Sequence, residues 1–505
     1  MCKEIWENGL RSVYAGRRGG VTRPGGQWAG LRAFFGAQPD QNYHKFRTLA
    51  LAFFLMPDLT AVSHPDAHLF EVRHPEWAAN ATIYEVNIRQ YTPEGTFRAF
   101  MAHLPRLAAM GISIIWLMPV HPIGEQGRKG TLGSQYAVRD YLGVNPEFGT
   151  LDDLRALVAE AHRLGLRVLL DWVANHTSWD NPLVLAHPEW YQHDAQGRLV
   201  PPVADWHDVV ALDYGQPGLR RYMMDALCYW VREAGIDGYR CDVAALVPTD
   251  FWDEARPALE AIKPVFMLAE WDELYPSGGL SWDEFNPDTH LLERAFDMTF
   301  GLRLHYLFDS IAAGKADLVA IDEYRAAERA KYPPRVYLMN FTSNHDVNSW
   351  DGTEYERLGP LALPFAVLTG LLPGMPLVYS GQEAGLNRRL AFFDKDPIDW
   401  QDFPLEDFYT RLLQLKRRHP ALLNGDPTSS FERLSGPAGL YGFVREKQGA
   451  AVLCVINAGP EPAALPLPEA AAGTWRDVFS EKQLMFRADD ELPVPGHGWR
   501  VLEKV

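Results

Sequence analysis

A closed parallel (β/α)8 barrel followed by a small all-β domain is the fold class that this sequence predicts. Three observations predict it. From about residue 80 onward, short apolar strands alternate with amphipathic helices eight times. Those strands are apolar almost without interruption, which suits strands covered on both faces rather than on one. After the turn-rich Asn424-Gly425-Asp426-Pro427 the pattern changes to short strands of alternating polarity. An open, doubly wound sheet is the competing arrangement for the first part.

Taken in order, the first strand is expected at 81–86 and its helix at 97–110. The second strand is 112–119, and its helix, 151–164, carries Asp152 and Asp153 near its start, where the helix dipole favours acids. The third strand, 166–173, is followed by an insertion at 177–213 rich in Trp, Pro and Asp, then by a helix over 217–234. Further strands are expected at 236–244, 265–269, 296–300, 335–339 and 376–379, with the last barrel helix at 405–418. Strands at 439–444, 450–457 and 498–502 suggest a C-terminal β-sandwich. The resulting division is an N-terminal extension (1–79) to which the sequence assigns no role, a barrel (80–424) and a sandwich (425–505).

Composition narrows the classes. Of 505 residues 47% are hydrophobic and 22% charged, which argues for a globular protein and against disorder. A formal net charge of −17 disfavours nucleic acid and anionic membranes as partners. Cys2, Cys228, Cys241 and Cys454 lie far apart, with neither metal-like spacing nor the density of a disulfide framework. Arg11, Arg17, Arg18, Arg23 and Arg32 make a basic, poorly patterned start. The apolar run at 48–56 is about half a membrane span and resembles the apolar part of a secretory signal. It begins far from the first residue for such a signal, so the compartment stays open.

The chemistry gathers at strand ends. In Ile236-Asp237-Gly238-Tyr239-Arg240-Cys241-Asp242-Val243-Ala244, Arg240 and Asp242 stand two positions apart and so face the same side of an extended strand. An arginine beside a carboxylate favours its charged form, as a nucleophile requires. The bland counterpart is a buried ion pair that only ties the barrel together. In a (β/α)8 barrel the site lies at the carboxyl ends of the strands. There the sequence puts Asp171-Trp172-Val173-Ala174-Asn175-His176, then Arg240 and Asp242, then Glu270-Trp271, then Asn344-His345-Asp346. Glu270 follows an apolar strand and precedes a tryptophan, surroundings that favour a protonated acid. Asp171 and Asn175 could equally be scaffold, and His176 and His345 satisfied core histidines.

In this order and spacing, the four segments resemble the four signature regions of the α-amylase family of glycoside hydrolases (family 13). Tyr136-Ala137-Val138-Arg139-Asp140-Tyr141 resembles the family's loop bearing a stacking tyrosine, and Tyr379-Ser380-Gly381-Gln382-Glu383 its eighth strand end. The likeness covers roughly 80–505. It implies that Asp242 is the nucleophile, Glu270 the general acid/base, and Asp346 the acid that binds sugar hydroxyls beside the cleaved bond. It further implies that Arg240 holds Asp242 ionised, that Asp171 pairs with Arg240, that His176 and His345 donate to sugar hydroxyls, and that Tyr136 stacks beneath the ring. Trp271, Trp350 and Arg389 are weaker pocket candidates.

The implied function is a retaining α-glycosidase cutting α-1,4 bonds in maltooligosaccharides or α-glucans, its two carboxyls roughly 5–5.5 Å apart. Alternatives are a transglycosylase or sugar isomerase on the same barrel, and a non-catalytic amylase-like binding protein. The last would lack the acids and carry a membrane span. No Gly-rich phosphate loop follows any strand, which disfavours a nucleotide enzyme. Two departures from the family pattern stand out. Ala245 and Leu246 replace the Lys-His pair of many starch-degrading members, and Ala211 stands where an acidic calcium ligand is usual. A hard cation wants several oxygen ligands, and Asn175 alone is a poor start, so neither calcium, another metal nor a cofactor is expected. The expected partner is the α-glucan substrate; the sequence does not specify an oligomeric state.

Overall fold

Eight parallel strands close into one barrel in the computed structural model, which describes residues 71–271, 288–333, 335–400 and 402–505. In chain order come β1 (Ile83–Val86), β2 (Ile114–Leu117) and β3 (Arg167–Trp172). The insertion then forms an antiparallel pair, β4 (His176–Ser178) and β5 (Val209–Ala211). The barrel resumes with β6 (Gly238–Cys241), β7 (Phe266–Ala269), β8 (Met298–Phe300), β9 (Tyr337–Asn340) and β10 (Met375–Tyr379). Because β1 pairs with both β2 and β10, the sheet has no edge, and the open-sheet alternative is excluded.

Two apolar layers explain why the strands read as unbroken hydrophobic runs. Ile83, Ile114, Trp116, Leu169, Phe266, Leu268 and Met298 fill the barrel interior. Their neighbours Tyr84, Ile115, Val168, Leu170 and Met267 point outward into the layer shared with the helices. Side chains alternate along each strand, so both registers must be apolar. Gly238 is forced at the start of β6: its φ is +147° and a Cβ there would meet the Phe266 carbonyl oxygen at 1.9 Å. The close approach of β6 and β7, on which the site depends, therefore requires glycine.

The single helix expected over 97–110 is two, Phe97–Met101 and Leu104–Met110. Thr96 caps the first and Pro105 opens the second, a position where a missing N–H costs nothing. The helix Leu151–Arg163 starts with a reciprocal cap between Thr150 and Asp153.

The C-terminal strands are β11 (Ser430–Leu434), β12 (Leu440–Lys447), β13 (Ala450–Asn457), β14 (Ala463–Pro466), β15 (Gly473–Asp477), β16 (Gln483–Phe486), β17 (Glu491–Val494) and β18 (Trp499–Lys504). They form a six-stranded antiparallel sheet in the order β11-β12-β13-β18-β15-β16 and a separate β14–β17 pair. Leu453, Trp475 and Leu502 of the larger sheet share a core with Leu465, Leu492 and Val494 of the smaller. Cys228, Cys241 and Cys454 are buried free thiols. Cys2, the basic start and the apolar run at 48–56 lie outside the described residues. Among the described residues no helix is long and apolar enough to cross a membrane.

Candidate active site

Arg240 organises the mouth of the barrel. Its side chain is fully buried on β6, and strand pairing sets it opposite Asp171 on β3 and Leu268 on β7. Nη1 donates to Asp171 Oδ1 at 2.8 Å and to Asp242 Oδ1 at 3.2 Å. Nη2 lies 2.7 Å from Glu270 Oε2, an ion pair without the alignment of a hydrogen bond. One guanidinium thus touches three carboxyl groups from three adjacent strands. Around it stand the rings of Trp116 and Tyr136, at 5.1 and 5.6 Å from the guanidinium carbon. Such faces favour a weakly hydrated cation.

The strand ends are tied at backbone level. Asp242 N–H donates to the Trp172 carbonyl at 3.0 Å, and Glu270 N–H to the Cys241 carbonyl at 3.0 Å. Val243, next in the chain, holds a left-handed backbone at φ 38°, strained for a β-branched residue. Its N–H thereby donates to Glu270 Oε2 at 2.9 Å.

These contacts correct the charge distribution expected from sequence. Arg240 contacts Asp242, as expected, but it is not the largest influence on that carboxyl. Burial pushes the Asp242 carboxyl well up, Glu270 adds to the rise, and Arg240 only opposes it. Glu270, expected in apolar surroundings, instead meets a guanidinium and a backbone donor. Physically, one cation divided among three buried acids cannot compensate the desolvation of all of them. Asp171 is likewise pushed up to about 6 by burial, against the pull of Arg240. It accepts hydrogen bonds from Trp116 Nε1 at 3.2 Å and from the Tyr136 hydroxyl at 3.0 Å.

The segment after β9 closes the site from the other side. The Tyr136 hydroxyl lies 2.8 Å from His345 Nε2, and the two rings stack with centroids 5.5 Å apart. His345 Nε2 is 3.5 Å from Asp346 Oδ2. Tyr136 therefore bridges Asp171 and His345 through its hydroxyl, while its ring lines the recess beside His176. Asn344 caps the turn that follows, its Oδ1 accepting from Val347 N–H at 2.7 Å.

His176, at the start of β4, opens onto a recess lined by Tyr136, Trp206, Trp350 and Phe392. Burial lowers its pKa to about 3, so it is neutral there, and among the described residues its Nε2 has no hydrogen-bond partner. Of the weaker candidates, Trp350 lines this recess, Trp271 is buried, and Arg389 pairs with Glu356 at 2.8 Å on the surface. Sequence reasoning missed Glu85, Trp116, Trp206 and Phe392. Glu85 and Trp116 occupy inward positions of β1 and β2, paired across the sheet. Counting alternate residues from Ile83 and Ile114 would have found both.

The profile described as "Alpha amylase, catalytic domain" matches residues 63–207 and 190–419, more than half of the chain. The chain belongs to the α-amylase family of glycoside hydrolases. A second profile, "Maltogenic Amylase, C-terminal domain", matches residues 434–501. The chain is 33% identical to an α-amylase from Lactobacillus plantarum of known crystal structure, with a TM-score of 0.76, covering 85% of this chain and 100% of that one. It is 27% identical over 418 residues to the α-amylase MalA of Haloarcula japonica, covering 79% of this chain and 58% of that protein. It is also 28% identical to an α-1,4-glucan:maltose-1-phosphate maltosyltransferase of Streptomyces coelicolor, over 66% of this chain and 51% of the relative.

Within this α-amylase family member, the two sequence departures have clear local settings. Ala245 and Leu246 lie in the short helical turn Ala244–Leu246, directly after the strained Val243. Ala211 ends β5, where its carbonyl accepts from Gln192 N–H at 2.9 Å. Among the described residues no three His, Cys, Asp or Glu side chains gather as metal ligands.

Proposed function

We propose that this chain is a retaining α-glycosidase that cleaves α-1,4-glucosidic bonds in maltooligosaccharides or related α-glucans. The observation that carries the reading is the contact of one buried guanidinium with Asp171, Asp242 and Glu270 at the ends of β3, β6 and β7. Asp242 attacks the anomeric carbon while Glu270 protonates the departing glycosidic oxygen. Water then attacks the covalent glycosyl-enzyme, with Glu270 taking its proton. The reaction calls for a proton on Glu270 and none on Asp242. Arg240, 3.2 Å from Asp242, is the group that stabilises Asp242 once Glu270 holds it. Asp346 and His345 grip sugar hydroxyls, Tyr136 and His176 shape the ring's pocket, and Asp171 fixes Arg240.

A second reading is favoured by the maltosyltransferase relative: a sugar hydroxyl, rather than water, intercepts the glycosyl-enzyme. A substrate panel of maltose, maltotriose, starch, pullulan, sucrose and trehalose tests both readings. Retained α-configuration in the first product is expected. Chain-length redistribution from maltotriose would indicate transfer. Asp242→Asn should lower kcat by about 10⁴-fold or more; activity surviving that change overturns the assignment.

A further inference from the structure

Glu85 lies on β1, directly across the sheet from Trp116 on β2 and from Tyr379 on β10, and its side chain is completely buried. Its Oε1 contacts His345 Nδ1, and its Oε2 has no hydrogen-bond partner. Among the described residues, the histidine is therefore the one side chain that hydrogen-bonds this carboxylate. A buried carboxylate with a single partner is strongly destabilised unless that partner carries positive charge. On its other side, His345 Nε2 faces the Tyr136 hydroxyl at 2.8 Å and Asp346 Oδ2 at 3.5 Å. The ring also meets the face of Trp116 edge-on, with centroids 5.9 Å apart. Thus β1 contributes one acid, the chain after β9 a second, β6 the cation Arg240, and the loop before β3 a neutral phenol.

We infer that Glu85 is a positioning residue that keeps His345 doubly protonated, so that Nε2–H donates to the Tyr136 hydroxyl oxygen and the ring sets a positive charge beside Asp346 and a bound sugar. Which nitrogen of a histidine carries the proton is set by what the other nitrogen meets. Here Nδ1 is committed to Glu85, and a proton on Nε2 completes the link between two acids. Burial is the largest single influence and lowers the affinity of His345 for its proton, but Asp346 and Glu85 together outweigh it and Arg240, so the net shift is upward. The sugar-gripping half of the inference rests on the glycosidase reading given above; the Glu85–His345 pairing stands without it.

The decisive comparison is wild type against Glu85→Gln, which keeps the shape and a hydrogen-bonding group but removes the charge. Histidine-labelled protein is titrated by NMR, with His345 assigned by its loss in His345→Asn. In wild type, His345 should still be protonated above pH 7. In Glu85→Gln its midpoint should fall by roughly one pH unit or more, as expected for losing one close ion pair. The KM for maltotriose should then rise about tenfold between pH 5.5 and 7.5 in the variant only, with kcat changing much less. A wild-type His345 that loses its proton at or below its ordinary value near 6.5 overturns the inference, even if Glu85→Gln does not fold. So does a midpoint unchanged by the substitution. If His345 shifts as expected but wild type cleaves no maltotriose, the pairing is upheld and the substrate reading fails.

Discussion

Asp171 offers a direct test of how this site carries its charge. Replacing it with Asn removes a carboxyl that is completely buried yet hydrogen-bonded by Arg240, Trp116 and Tyr136. Burial outweighs those partners and pushes the group from its ordinary 3.8 up to about 6. That gap corresponds to about 3 kcal/mol. The sign follows from proton counting. Between pH 4 and 6 the folded protein holds a proton on Asp171 that the unfolded chain has lost, so this group's contribution to stability falls as pH rises. Below pH 4 both states are protonated and the contribution is complete. Above pH 6 it is gone. Urea unfolding of wild type and Asp171→Asn at pH 4, 5, 6 and 7 isolates the effect, because the C-terminal sheets contribute equally to both proteins. The stability difference should move against wild type by up to about 3 kcal/mol over that range, an upper figure because structural relaxation softens burial. A difference that moves in wild type's favour would refute the reasoning. It would mean that Arg240 dominates and that Asp171 is an ordinary salt-bridged acid.

Other perturbations follow from single contacts. Gly238→Ala drives a methyl group into the Phe266 carbonyl, so a loss of more than about 4 kcal/mol or no soluble protein is expected, read by expression and urea midpoint. Trp116→Phe removes one of the three donors on Asp171; a loss of about 1–3 kcal/mol is expected, together with a further rise in the Asp171 midpoint. Lys416, buried and donating to the Gly374 and Leu422 carbonyls, has its pKa lowered well below normal by burial and by Arg445. Its charged form is thus disfavoured in the fold, and wild type should gain stability relative to Lys416→Met as pH rises from 7 toward 10, checked by thermal unfolding across that range.

The barrel was legible because its strands are apolar on both registers, as Ile83 and Tyr84 or Ile114 and Ile115 show within single strands. Apolar spacing alone predicts one helix over 97–110, and Pro105 is the residue that marks the start of a second. Strands β14 and β17 were missed because each is four residues long and contains proline, with Pro466 and Pro493 in the paired segment. Glu85 was missed for a different reason: a lone acid in a four-residue strand looks like surface until its register is counted inward. Neither the list of strand-end residues nor their order, however, contains the electrostatics. The expected pairing of Arg240 with Asp242 exists at 3.2 Å, yet it is the longest of three such contacts on that guanidinium. Local sequence can say that an arginine lies beside an acid. How far one positive charge is divided depends on the β3–β6–β7 register, and the cost of dividing it depends on how much water the whole barrel mouth excludes. Adjacency therefore predicted a lowered Asp242, and collective burial reversed the sign.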